Sequence, residues 1–308
     1  MDGRIIMTNI LSGNMAGTFS GFLSYLSWME IADQNENDIK VQLHARNKTH
    51  YSGNSYSNYK WFNSKECNNF QDILSKNILL DLFEKNEYLT ENYYEDCIYT
   101  ECYPIDIKNI IKSYPVSLKY EGRGQDKEQY TDIKGMKIVR ESLNKQWNKF
   151  KFKKLFNEEI EKEEKLIKGK KTICLMLRQS EHYLGYKCGG RDVLDKAIET
   201  VKNKIDDYDS LLLTTQIQPF IDEFVRVFGD KCIYTERKRF PQDMDWKGGR
   251  YDHTIMTDEE YEKEYKDAIL DVILSSKSDF IIAGSSNMFL ASLCMNPKVP
   301  FSIFLNTN

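Results

Sequence analysis

The chain has 308 residues, 41% of them hydrophobic, which is enough for two cores of ordinary domain size. Its 43 basic and 47 acidic residues leave a net charge of −4, so there is no basic field to hold a nucleic acid. No stretch reaches the roughly 18 consecutive apolar residues of a membrane span, and no basic segment followed by an apolar core opens the sequence, which therefore reads as cytoplasmic and without an integral membrane segment. The seven cysteines (Cys67, Cys97, Cys102, Cys174, Cys188, Cys232, Cys294) are odd in number, scattered and without a Cys-x-x-Cys pair, which argues against a disulfide framework or a structural zinc site.

Arg4 to Thr8 predicts a short strand, Asn9 to Gly21 a Gly/Ser/Asn-rich turn, and Phe22 to Ile31 a helix. Strand, turn and helix in that order open a Rossmann-like half. The spacing of Gly13, Gly17 and Gly21 is not the dinucleotide fingerprint, so a nicotinamide cofactor is not expected. Ile39 to Leu43 alternates as a second strand. The polar, aromatic stretch from His44 to Asn69, with Tyr51, Tyr56, Tyr59 and Trp61, reads as a surface loop whose rings suit the C–H face of a sugar. Helices are expected over Phe70 to Asn86 and over Ile133 to Lys151, the latter with a stripe of Ile138, Leu143, Trp147 and Phe150. The charge-dense segment Phe156 to Ile167 predicts a solvated helix leading to a domain junction.

From Lys171 the pattern alternates strand and helix, as in a parallel sheet covered on both faces. Strands are predicted at Thr172 to Leu177, Leu211 to Leu213, Cys232 to Tyr234 and Asp279 to Ala283, with helices at Arg191 to Ile205 and Pro219 to Phe228. The expected fold is thus α/β, two Rossmann-like domains facing a central cleft, residues 1–165 and 168–308. Ligands of open parallel sheets sit beyond the carboxyl ends of the strands. Arg178 follows the first of these strands and Gly284-Ser285-Ser286-Asn287 the last, opening a helix. An arginine fork and a helix N-terminus together describe a diphosphate clamp. Ser and Asn at that position also serve as a helix cap. Thr214 and Thr215 end another strand and are placed to bond ribose, base or diphosphate. The loop Trp246 to His253, containing Arg250, reads as a lid. It lacks the Gly-x-Ser-x-Gly elbow that a nucleophilic triad with His253 would need.

These segments resemble, in order, the donor-binding half of the fucosyltransferase-like glycosyltransferases, the group of α-1,2-, α-1,6- and protein O-fucosyltransferases. Met176-Leu177-Arg178-Gln179-Ser180-Glu181 is similar to their His-x-Arg-type motif, Leu212 to Gln216 to a strand ending in Thr or Ser with Asp, and Ile282 to Phe289 to their third segment. Ser12-Gly13-Asn14-Met15-Ala16-Gly17 resembles the Gly/Asn-rich first turn of the family. Met176 stands where the family has histidine, and Gln179 where it has a second basic residue. The resemblance implies a GT-B enzyme with a GDP-sugar donor, most readily GDP-fucose, a glycan or glycoconjugate acceptor, inversion at the anomeric carbon, and no metal or separate cofactor. Gly13, Asn14, Thr214, Thr215, Arg250, Ser285, Ser286 and Asn287 are expected about the donor. Arg178 takes the charge of the departing diphosphate. The acceptor proton goes to Glu181 or His182, with Asp192 as runner-up. The rivals are a GT-B transferase using another nucleotide sugar and a catalytically degenerate carbohydrate-binding relative.

Overall fold

The computed structural model describes residues 5–12, 18–34, 39–46, 62–63, 79–89, 98–100, 133–177, 190–239, 257–284 and 286–303. The chain divides into two compact units, Met1–Asn157 with Asp252–Lys266, and Glu158–Tyr251 with Asp267–Asn308. Among the described residues, no helix is long and apolar enough to cross a membrane.

The first unit holds a four-stranded sheet in the order β2-β1-β4-β3, formed by β1 (Ile5–Ser12), β2 (Ile39–Arg46), β3 (Phe62–Asn63) and β4 (Ile98–Thr100). β1 runs parallel to β2 over its whole length, from Ile5 opposite Ile39 to Ser12 opposite Arg46, and parallel to β4. Only β3 pairs antiparallel. Parallel neighbours need a crossover, and helix α1 (Thr18–Gln34) supplies it between β1 and β2. From Tyr25 to Ala32 every residue of α1 is buried, the state expected of a helix apolar nearly all round. Within that run Ser27 Oγ donates to the Leu23 carbonyl four residues back.

The helix expected over Phe70 to Asn86 ends early. Of its described part, only Leu79–Leu82 (α2) is helical. Phe83 instead bridges antiparallel to Phe152, with Glu84 N–H donating to Lys151 O and Lys153 N–H to Leu82 O. The reason lies in an aromatic cluster. Phe83, fully buried, packs at ring-centroid distances of 4.9 Å on both Phe150 and Phe152 and edge-on to Trp147. Burial of a large aromatic outweighs the few tenths of a kcal/mol by which local propensity favours helix. Trp147 ends helix α3 (Ile133–Trp147), and Phe156 joins the cluster from α4 (Lys154–Glu164).

The second unit is built on five strands in the order β7-β6-β5-β8-β9, all parallel. These are β5 (Thr172–Met176), β6 (Ser210–Thr214), β7 (Cys232–Ile233), β8 (Phe280–Ala283) and β9 (Phe301–Ile303). Helices α5 (Gly190–Lys202), α6 (Gln218–Phe228), α7 (Asp258–Ser276) and α8 (Asn287–Met295) lie between them in sequence. One face of the sheet, Ile173, Leu175, Leu177, Leu211 and Leu213, packs with Val193, Ala197 and Val201 of α5 and Phe220, Ile221 and Phe224 of α6. On the other face, Cys174 Sγ lies 3.2 Å from Ser275 Oγ of α7, and Ser292 Oγ of α8 lies 3.7 Å from Met176 Sδ. With both faces covered, every residue of β5 and β6 is buried, which is why these strands are unbroken apolar runs rather than alternating ones. β9 and the long α7 were not expected from the sequence.

Candidate functional site

Strand order locates the ligand position of the second unit. From β5 the chain winds one way through β6 to β7, then returns to the other side of β5 for β8 and β9. The switch in winding falls between β5 and β8, and ligands of such sheets bind outside the carboxyl ends of the strands at that point. The register sets the level of this edge: Met176 is opposite Thr214 on one side and Ala283 on the other. The ladder runs one residue further, Leu177 N–H donating to Thr214 O at 2.9 Å. The next residue in sequence is Arg178, and the residue after Ala283 is Gly284.

At the β8 end, Ser286 is the N-cap of α8. Its backbone is extended, with φ −151° and ψ 156°, and its hydroxyl oxygen accepts the Phe289 N–H at 3.2 Å. The capping role read from the sequence is therefore present, and it leaves the hydroxyl hydrogen free to donate. Asn287 is the first helical residue. At the β6 end both threonine hydroxyls face internal partners. Thr214 Oγ1 lies 3.5 Å from Ser275 Oγ, and Thr215 Oγ1 accepts the Ile217 N–H at 3.3 Å, with both residues buried. Asp192 falls in the first turn of α5. Arg178, Glu181, His182, Gly13, Asn14, Arg250 and Ser285 lie outside the described residues, as does nearly all of the aromatic loop from His44 to Asn69.

Sequence reasoning missed a group of charged residues at the same edge. β7 ends at Ile233, opposite Leu212, so Thr235 stands level with the end of β6. Thr235 Oγ1 donates to Asp271 Oδ1 of α7 at 3.1 Å. Arg237 Nε reaches the same Asp271 oxygen at 2.7 Å, and its Nη1 reaches Asp267 Oδ1 at 2.9 Å. The Arg237 side chain is only 5% exposed. Arg239 Nη2 donates to Thr235 O at 2.7 Å and to Thr235 Oγ1 at 3.2 Å. Burial works against the Arg237 charge, but Asp271 and Asp267 outweigh it and raise its pKa. Burial and the neighbouring Arg237 lower that of Arg239. Among the described residues, Arg237 Nη2 and Arg239 Nε are buried and have no acceptor. The signal was in the sequence. Thr235-Glu236-Arg237-Lys238-Arg239 repeats with period 2 straight after a strand, and Asp267 and Asp271 stand four apart on a helix.

The three cysteines described, Cys174, Cys232 and Cys294, are buried and free. Burial pushes the Cys174 thiol up to about 12, which makes it a small core residue rather than a nucleophile.

The first unit carries a different buried cluster. Asp33 accepts Tyr88 Oη at 2.7 Å, Lys149 Nζ at 2.6 Å and Gln146 Nε2 at 2.9 Å, and Gln146 Nε2 also donates to Glu30 at 2.6 Å. Burial alone would raise the Asp33 pKa, but the hydrogen bonds from Lys149, Tyr88 and Gln146 hold it at about 2.

No protein-family model matches the chain, and no curated protein does. Solved structures do match. The fucosyltransferase NodZ from Bradyrhizobium aligns at 10% identity over 99% of this chain and 97% of its own, with a TM-score of 0.53. A selenomethionine form of NodZ aligns at 11% identity over 99% and 96%, with a TM-score of 0.52. The chain shares the mixed α/β fold of these proteins, parallel sheet included.

Proposed function

We propose that the chain is a glycosyltransferase that moves a sugar, most readily fucose from GDP-fucose, to a carbohydrate or glycoconjugate acceptor, with inversion and without a metal. The observation that carries this reading is the level register of Met176, Thr214 and Ala283 about the switch point. In sequence, Arg178 and Gly284 to Asn287 come just after the adjacent strands β5 and β8. The likeness in fold to the NodZ fucosyltransferase supports the class of reaction, and the ordered motif resemblance supports the guanine nucleotide.

In this reading the acceptor hydroxyl attacks the anomeric carbon while the bond from that carbon to the β-phosphate oxygen breaks. The leaving GDP gains negative charge as it departs. A preorganised cation therefore stabilises the transition state more than the ground state. Arg178 is the residue for that role, aided by the helix N-terminus at Ser285 to Asn287 and its free N–H groups. Glu181 takes the acceptor proton, with His182 beside it and Asp192 as the next choice. Gly13 and Asn14, Thr214 and Thr215, and Arg250 complete the donor contacts, residues 1–165 form the acceptor side and 168–308 the donor side.

The test is a thermal-shift series with GDP, UDP, CDP and ADP. A nucleotide at ~100 times its dissociation constant stabilises the native state by ~2.7 kcal/mol, and GDP is expected to give the largest shift. A larger shift with UDP or CDP would move the donor to another nucleotide sugar. No shift with any nucleotide would leave the non-catalytic carbohydrate-binding reading.

A further inference from the structure

Given the donor reading above, on which the inference rests, we propose that Ser292 and Asn296 are positioning residues of the donor site. They hold α8 at a fixed level against α7, so that its N-terminus meets the diphosphate.

Helix α8 is largely apolar. Phe289, Leu290, Ala291, Leu293 and Cys294 are all buried, and apolar burial is non-directional, so it draws the helix into the core but discriminates little between neighbouring levels along its axis. Two polar side chains set the level. Asn296, the C-cap of α8, donates from Nδ2 at 2.8 Å to the carbonyl of Ser276, the last residue of α7. Ser292 is fully buried, with its Oγ 3.3 Å from Val272 O of α7 and 3.2 Å from Met288 O of its own helix. Ser292 and Asn296 stand four residues apart on α8, and Val272 and Ser276 four apart on α7. The two contacts are thus about one turn apart on each helix and agree on a single register between them.

The same serine reaches the other side of the diphosphate position. Its Oγ lies 3.7 Å from Met176 Sδ, and Met176 is the last residue of β5, two positions before Arg178. Ser292 therefore touches α7, α8 and the end of β5 together. A slip of α8 by one residue would carry its N-terminal N–H groups about 1.5 Å along the axis, and a misplacement of about 1 Å from a distant change costs up to about 10²-fold at a reacting centre. Ser292, being fully buried, acts on the ligand only through the helix that it holds.

Calorimetric titration of GDP, pyrophosphate and guanosine into wild type, Ser292→Ala, Asn296→Asp and Ser278→Ala tests this. Asn296→Asp keeps the oxygen that accepts the Lys298 N–H and loses the donor to Ser276 O. Ser278→Ala removes another buried hydroxyl, one that donates to Leu274 O near the amino edge of the sheet, and so controls for lost stability alone. The expected result is about tenfold weaker binding of GDP and pyrophosphate in folded Ser292→Ala and Asn296→Asp, with guanosine unchanged, and no change for any ligand in Ser278→Ala. Unchanged GDP and pyrophosphate affinity in the two folded variants would overturn the inference and leave the donor reading standing. An equal loss for guanosine, or the same losses in Ser278→Ala, would also overturn it, because either marks a general loosening of the fold. Wild type that binds neither GDP nor pyrophosphate would remove the donor reading as well.

Discussion

The two edges of the five-stranded sheet treat their polar groups in opposite ways. At the amino edge polar groups are paired within the fold. The Lys171 N–H donates to Asp209 Oδ2 and the Thr172 N–H to Asp279 Oδ2, each at 2.7 Å, and Thr172 and Ser210 share a hydroxyl bond at 2.8 Å. At the carboxyl edge, Ser286 has a hydroxyl hydrogen to give, and among the described residues two arginine N–H groups have no acceptor. Paired groups fix a strand in register, and the proposed function puts the ligand at the other end of the sheet. Changes at the amino edge should therefore alter stability, and changes at the carboxyl edge should alter binding and turnover.

The strongest test of that division is Arg178→Ala. If the residue after β5 meets the leaving diphosphate, turnover should fall by about 10² to 10³ while the melting temperature stays near wild type. Arg178→Lys should restore only part of the loss, since the fork is absent. A folded Arg178→Ala protein with wild-type turnover would remove the residue from the mechanism.

The carboxylate of Asp33 in the first unit is held by Tyr88, Lys149 and Gln146 within the fold, so its effect should appear in stability alone. Its folded pKa of about 2 lies below the ordinary 3.8. The stabilisation is therefore present above pH ~4 and is lost as the pH falls through 2. Its size is up to about 2 kcal/mol. Denaturant titrations at pH 5 and pH 2.5 should show Asp33→Asn well below wild type at the higher pH and closer to it at the lower. Parallel pH profiles for the two proteins would refute the assignment.

Asp279→Ala tests the amino edge itself. It leaves the buried Thr172 N–H without its charged acceptor, a loss of about 1 to 2 kcal/mol. Nucleotide affinity should not change, and a clear drop in GDP binding would break the contrast between the edges.

How much of this was legible in the sequence also follows the contrast. β5, β6 and β8 could be read because strands buried on both faces must be continuous apolar runs, and Ser286 could be placed because it follows the end of the last of those runs. Helix α2 was drawn too long because no local signal announces that Phe83 prefers Phe150 and Phe152 to another helical turn. The arginine cluster was overlooked because Glu236 and Lys238 alternate with Arg237 and Arg239 and disguise them as a solvated loop. Only the distant Asp267 and Asp271 make them buried, and that pairing is a property of the fold. Helix α7 was missed because its first half is almost wholly charged and its second half apolar, so no single periodic stripe runs its length.

Ser286 is where the two kinds of pairing meet, and it gives the smallest but most discriminating effect. Its oxygen caps α8 by accepting the Phe289 N–H, while its hydrogen is free for a phosphate oxygen. Ser286→Ala removes both and should cost about 1 kcal/mol of stability as a lost cap, together with a loss of nucleotide affinity on the order of 1 to 2 kcal/mol. Ser286→Asp separates them. A carboxylate is as good a cap as a hydroxyl and suits the helix dipole, so stability should hold, but it repels a diphosphate, so GDP binding should fall further than in Ser286→Ala. Calorimetry that finds GDP affinity unchanged in the aspartate variant would leave Ser286 with the cap alone and move the diphosphate away from the N-terminus of α8.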